Sequence, residues 1–270
     1  MRTSCDVDIL VHEEELNKIV KIMTDKLCFE EKGKSFHDVS LFSSSGVNFE
    51  LHYVLVEHNK ANDADKVLCD VWNYAFPAKE CEYKMKLQDE MFYFYHIAHI
   101  AKHFQIGGCG IKPFIDLWIL DHMIKSDIKK RDEILQRGNL LKFANVVRKL
   151  SRVWFENEEY DTLSKQMEAY IIYGGVYGNI GNKVMVQQQK RGGRLKYALS
   201  KIFIPYDAIK FQYPILNKHR WMTPFMEVRR WCRLIFCGHI RRSIDELKYN
   251  KNISSERAKA TQQFLMDIGL

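Results

Sequence analysis

The chain has 270 residues, 46% hydrophobic and 28% charged, the proportions of a soluble globular protein long enough to bury a sizeable core. No stretch approaches the ~18 consecutive apolar residues of a membrane span, and seven cysteines without a CxxC pair argue for reduced thiols in a cytoplasmic protein, not a disulfide framework or zinc ribbon. The net charge of +7 is uneven, with 18 Lys/Arg against 6 Asp/Glu from Lys183 onward, so an acidic front suited to cations precedes a basic rear suited to anions.

Residues 1–5 lead straight into an acidic segment, and no signal peptide is expected. Asp6-Val7-Asp8-Ile9-Leu10-Val11 reads as a strand, because side chains alternate across it. Asp6, Asp8 and Leu10 share one face and Val7, Ile9 and Val11 the other. Two like charges that close oppose each other's ionisation, and a hard divalent cation such as Mg²⁺ is the usual remedy. His12–Cys28 follows with helical spacing (Leu16, Ile19, Val20, Met23, Leu27) and three glutamates, 13–15, in its first turn.

Phe36–Phe42 alternates as a strand, Ser43-Ser44-Ser45-Gly46 is a turn, and Val47–Val56 returns as a second strand. On it Glu50, His52 and Val54 share a face. A lone acid in an apolar strand is costly to bury. If this strand neighbours Asp6–Val11, three carboxylates converge, and such a triad can hold two Mg²⁺ ions about 4 Å apart for in-line phosphoryl or nucleotidyl transfer. The plain alternative, equally open, is that Glu50 pairs with a lysine and the aspartates merely end a strand.

Residues 59–65 form a polar loop, and Val67–Phe76 suggests a short helix with Trp72 packed inward. Gln88–Gln105 is apolar through almost every turn and reads as a largely buried helix. It carries His96, His99 and His103 on one face, and Gly107-Gly108 fits its C-cap. The i, i+4 pair His99/His103 lacks the glutamate of H-E-x-x-H, so zinc is not favoured. These histidines are expected to line the cleft opposite the acidic strands, or to be core histidines with satisfied hydrogen bonds. Two further helices are expected near Asn139–Phe155 and Glu159–Tyr173.

The order of these segments resembles the metal-binding core of polymerase-beta-like nucleotidyltransferases, and more narrowly a bacterial branch known as an uncharacterised nucleotidyltransferase family. The carriers are Arg2-x-x-x-Asp6-Val-Asp8-Ile-Leu-Val, then Asn48-Phe49-Glu50-Leu51-His52, the histidine helix, Gly107-Gly108-Cys109-Gly110-Ile111-Lys112, and Asp116. Phe203-Ile204-Pro205 and Tyr213-Pro214-Ile215-Leu216 also fit. The resemblance implies that Asp6, Asp8 and Glu50 bind two Mg²⁺ ions. It implies transfer of a nucleoside monophosphate from an NTP, expected to be ATP, to an unidentified hydroxyl acceptor. Arg2 and Lys112 could meet phosphates, and His52, His99 and His103 the substrate side.

One part of the pattern is missing. The family carries a Gly-Ser-type turn ahead of the aspartate pair, whose backbone N–H groups cradle phosphates, and Asp6 leaves no room for it. A late start site or a truncated chain is the expected explanation. The alternative is a non-catalytic remnant acting as a binding or membrane-surface protein.

In the basic rear, 182–201 reads as a solvated polar loop. Pro224–Arg242 reads as an amphipathic basic helix, with Phe225, Val228, Cys232, Ile235 and Phe236 on one side and Arg229, Arg230, Arg233, Arg241 and Arg242 beside them. Its apolar side is expected to dock on the domain, with weak anionic membrane-surface contact through 224–242 as the alternative. No specific nucleic-acid motif is present. The expected architecture is α+β: a truncated nucleotidyltransferase-like core over 1–85, a helical domain over 86–180 and a basic helical region over 181–270. The expected location is the cytoplasm, with peripheral contact at the inner membrane surface as a further option.

Overall fold

The computed structural model describes residues 6–57, 60–79, 81, 83–175, 180–236 and 240–270, the side chains of 240–243 excepted. Arg2 and the side chains of Arg241 and Arg242 lie outside the described residues. The architecture is α+β, a small mixed sheet followed by a helical region. Two compact units divide it: Met1–Lys102 with Leu117–Asn145, and His103–Asp116 with Val146–Leu270.

In the first unit, β1 (Asp6–Leu10), α1 (Leu16–Asp25), β2 (Glu30–Lys34), β3 (Asp38–Phe42) and β4 (Asn48–His52) build one sheet in the order β1-β4-β3-β2. β1 runs parallel to β4, while β4/β3 and β3/β2 are antiparallel. Period-two alternation gives the sheet two unlike faces. Val39, Leu41 and Leu51 are buried with Val11, and Leu16 and Met23 from α1 cover them, joined by Ile19, Val20 and Phe49. The opposite face is polar. The three glutamates 13–15 form a separate short 3₁₀ turn, so α1 begins at Leu16, where its apolar stripe starts.

The order is therefore one strand longer than the alternation predicts, because β2 escapes it. Its residues Glu-Glu-Lys-Gly-Lys are exposed throughout, and the register shifts between Glu31 and Gly33. An edge strand blunted by charge and a bulge carries no alternating signal.

Helix α2 (Ala64–Leu68) and the hairpin of β5 (Ala75–Pro77) and β6 (Met85–Leu87) follow. Trp72 does turn inward, stacking on His12 with ring centroids 3.9 Å apart. The histidine helix is α3 (Asp89–Ile106), which begins in the first unit and ends in the second. Its Met91, Phe94, Ile97, Ala98 and Ala101 are fully buried, and Tyr95, His96, His99, Lys102 and His103 form a half-buried polar stripe. Helices α4 (Lys112–Met123), α5 (Ile128–Arg137) and α6 (Leu141–Glu156) complete the middle of the chain.

The second unit continues with α7 (Thr162–Gly174), α8 (Ile180–Lys190), α9 (Arg194–Ile202), α10 (Tyr206–Gln212), α11 (Thr223–Phe236), α12 (Ile240–Asn252) and α13 (Ser255–Asp267). The solvated loop expected over 182–201 is instead α8 and α9, joined at Gly192-Gly193, both at positive φ. Val184, Met185 and Tyr197 bury against Ile253 and Ala258, more than fifty residues away in the chain. A local reading of Gln187-Gln188-Gln189-Lys190-Arg191 has no access to such partners.

Candidate active site

The parallel pairing of β1 with β4 decides the site. Its register sets Asp6 beside Asn48, Asp8 beside Glu50, and Leu10 beside His52. Residues that pair across strands project to the same face, so Asp8 meets Glu50 directly and His52 lies one pleat along. β3 adds to the same face, with Ser40 opposite Glu50 and Asp38 opposite His52.

His52 bridges the two acids. Its Nε2 stands 3.5 Å from Asp8 Oδ1 and 3.6 Å from Glu50 Oε2. Ligand atoms of Asp8, Glu50 and His52 all lie within 4.8 Å of one another, and among the described residues no other trio of His, Cys, Asp or Glu is grouped so closely. Asp6, expected as a third carboxylate, is exposed on the same strand face but stands outside this trio.

The two carboxylates differ in character. The hydrogen bond from His52 holds the Asp8 carboxyl below its ordinary value, against partial burial, and the charges of His52 and His99 act the same way. Burial, then the charges of Asp38 and Asp8, push Glu50 above its ordinary value, against a 3.2 Å hydrogen bond from Asn48 Nδ2. Glu50 is thus an acid crowded by acids.

A second row supports this corner. Asp38 is almost fully buried and accepts a hydrogen bond from the Ser35 hydroxyl. The His37 ring stacks on His52 at 5.7 Å, with its Nδ1 3.3 Å from Glu57 Oε1. Glu57 in turn lies 3.4 Å from Lys102 Nζ on α3. Burial, then the Lys102 charge, keep the His37 imidazole below its ordinary value, so it is neutral near pH 7. α3 also brings His99 into electrostatic reach of Asp8, and burial followed by the Asp8 charge pushes the Tyr95 phenol up to about 12.

Of the remaining expected contacts, His103 is half-buried and Lys112 exposed, both in the second unit. Sequence reasoning missed Asp38, His37, Glu57 and Tyr95. The hairpin register would have found Asp38, since it pairs with His52 across β3 and β4, but nothing local points to the other three.

No curated protein and no solved structure matches the chain. The family model described as "Uncharacterised nucleotidyltransferase" matches residues 1–156, a span that contains both acidic strands, His52 and the histidine helix. Nucleotidyltransferases generally use divalent metals and a nucleoside triphosphate, and a corner of two carboxylates and an imidazole suits that chemistry. With more than half of its length covered, the chain belongs to this uncharacterised nucleotidyltransferase family.

Proposed function

We propose that the protein transfers a nucleoside monophosphate from an NTP, expected to be ATP, to an acceptor hydroxyl, releasing pyrophosphate and depending on Mg²⁺. The observation that carries the proposal is the β1/β4 register, which sets Asp8 against Glu50 beneath His52. The donor set fits a hard cation. Two carboxylates offer oxygen ligands, and the opposed charge of Glu50 is of the kind a bound cation relieves. His52 adds a nitrogen donor, which Mn²⁺ accepts more readily than Mg²⁺.

Asp8 and Glu50 would hold the metal, with Asp6 on the same face as a further carboxylate toward a second ion. When bound, divalent cations neutralise charge on the triphosphate and orient the reacting oxygens. Asp8, kept ionised by His52, stays a ligand across neutral pH. Glu50 has the higher proton affinity and accepts the proton that the acceptor hydroxyl gives up. As that oxygen bonds to the α-phosphorus, the bond from phosphorus to the pyrophosphate oxygen breaks. His99, whose charge reaches Asp8, lines the acceptor side.

Pyrophosphate release from each NTP, joined to a mass search for nucleotidylated products, tests this reading. Asp8→Asn should lower the rate by at least about a hundredfold, since even outer partners of metal ligands are worth about 10–100-fold. Equal rates in wild type and Asp8→Asn would remove the metal assignment.

A further inference from the structure

Helix α11 is docked the wrong way round for an ordinary surface helix. Its inward side is ionic: Glu227 and Arg230 are each only 6% exposed and pair at 2.8 Å. Glu227 Oε1 accepts from the Ile204 backbone N–H at 3.1 Å, and Arg230 and the Trp231 indole both donate to the Ile202 carbonyl. Met226 beside them packs on the cluster of Ile209, Tyr213 and Leu216. These contacts hold the helix to the unit and leave its hydrophobic stripe facing away. Phe225 is 63% exposed, Val228 52%, Ile235 57% and Phe236 86%. This overturns the expectation that the apolar side docks on the domain.

At 100° per residue the stripe spans one continuous sector, and Arg229 and Arg233 run along its edge, each stacked over Tyr213 at less than 6 Å. Trp221, 69% exposed, lengthens the stripe through an edge-on contact with Phe225 at 6.3 Å. The one acid of the helix, Glu227, is the buried one. The outward surface of α11 is therefore apolar and cationic with no negative charge of its own.

We propose that α11 is a membrane-surface helix that seats its Phe225–Phe236 stripe in the interface of an anionic bilayer, with Arg229 and Arg233 at the lipid headgroups. A helix with an apolar face and cations at its margin lies in the plane of the interface, and apolar burial and attraction to anionic lipid both contribute. Charge favours a bilayer over a second copy of the chain, because a two-fold pairing would set the arginine edges against each other. The basic balance of the rear, 18 Lys/Arg against 6 Asp/Glu, draws the same surface toward acidic lipid. Among the described residues no helix is long and apolar enough to cross a membrane, so the contact is at the surface.

Co-sedimentation of the full chain with vesicles tests this, comparing phosphatidylcholine alone with phosphatidylcholine mixed with phosphatidylglycerol. Wild type should pellet with the anionic vesicles and remain largely in solution with the neutral ones. The arginine share should weaken at about 1 M salt, where the screening length falls to about 3 Å. Arg229→Gln with Arg233→Gln should weaken binding about 25-fold, at roughly 1 kcal/mol or fivefold per cation. Phe225→Ser with Phe236→Ser should weaken it at least about tenfold, and circular dichroism should be unchanged because both positions are exposed. Wild type left in solution with anionic vesicles, or a serine pair that binds as tightly as wild type, would overturn the proposal. So would a wild-type dimer that the serine pair converts to monomer without any vesicle binding.

Discussion

Glu50 in the first unit is partly buried and Glu246 in the second almost fully so, yet their neighbours treat the charge in opposite ways. Glu246 is almost fully buried, and Lys183 and Lys201 each hold it at 2.6 Å, with the Tyr197 hydroxyl at 3.3 Å. Burial opposes its charge, but the two lysines prevail and its carboxyl sits below the ordinary value. Glu50 has Asp8 and Asp38 near it, and its carboxyl sits above the ordinary value. An acid whose surroundings supply the countercharge is part of the scaffold. An acid for which burial and like charges outweigh the countercharge of its surroundings, here His52, is poised for a cation from outside, and perturbed groups of this kind mark candidate functional sites.

Substitution separates the two most sharply. Glu50→Gln should abolish most nucleotidyl transfer, by at least about a hundredfold, while leaving the unfolding midpoint unchanged or higher, because an unfavourable charge is removed. Glu246→Gln should do the reverse. It strands two partly buried lysines and should cost about 2 kcal/mol in urea unfolding, less than the roughly 3–5 of a fully buried broken pair. Lower stability for Glu50→Gln than for Glu246→Gln would erase the distinction.

Acid titration of stability sharpens it further, with opposite signs expected. The folded value of Glu246 is lowered from 4.5, so its stabilisation is complete above that value and is lost as pH falls through the folded one. The folded value of Glu50 is raised from 4.5, so its ionisation weakens the fold above the folded value, and that penalty is relieved as pH falls through it. Relative to wild type, Glu246→Gln should be less stable and Glu50→Gln no less stable near neutrality, and both gaps should close from opposite sides as pH falls. Parallel curves would contradict the assignment.

The smallest effect concerns an acid of the Glu246 kind at a helix start. Asp161 caps α7, accepting from the Ser164 backbone N–H at 2.7 Å while the Ser164 hydroxyl accepts from the Asp161 N–H at 2.9 Å. Asp161→Ala should cost about 1 kcal/mol by thermal or urea unfolding. No loss would show that the capping box is idle.

Much of the first unit was legible because strands announce themselves with period two. Asp6-Val7-Asp8-Ile9 and Phe49-Glu50-Leu51-His52 alternate cleanly, so their polar faces could be read directly. Their parallel adjacency could only be posed as a condition, since it depends on a crossover through α1, β2 and β3. Asp38 was missed for the same reason: strand pairing, not local pattern, makes it a neighbour of His52, and His37, just ahead of β3, reaches His52 only through a ring contact. In the second unit, Gln188 is buried against Asn250, 62 residues on, which makes a glutamine run helical where composition suggested a loop. The stripe on α11 was legible from spacing. Which side faced outward was not, because an ionic pair does the docking and the apolar residues do not.

Calorimetric titration with Mg²⁺, and with Mn²⁺ as the better partner for His52, tests the central claim most directly. Wild type should bind, with Mn²⁺ the tighter, and both Asp8→Asn and Glu50→Gln should lose the binding heat while Glu246→Gln retains it. Unchanged binding in Asp8→Asn and Glu50→Gln would contradict the Asp8–Glu50–His52 corner as the metal site.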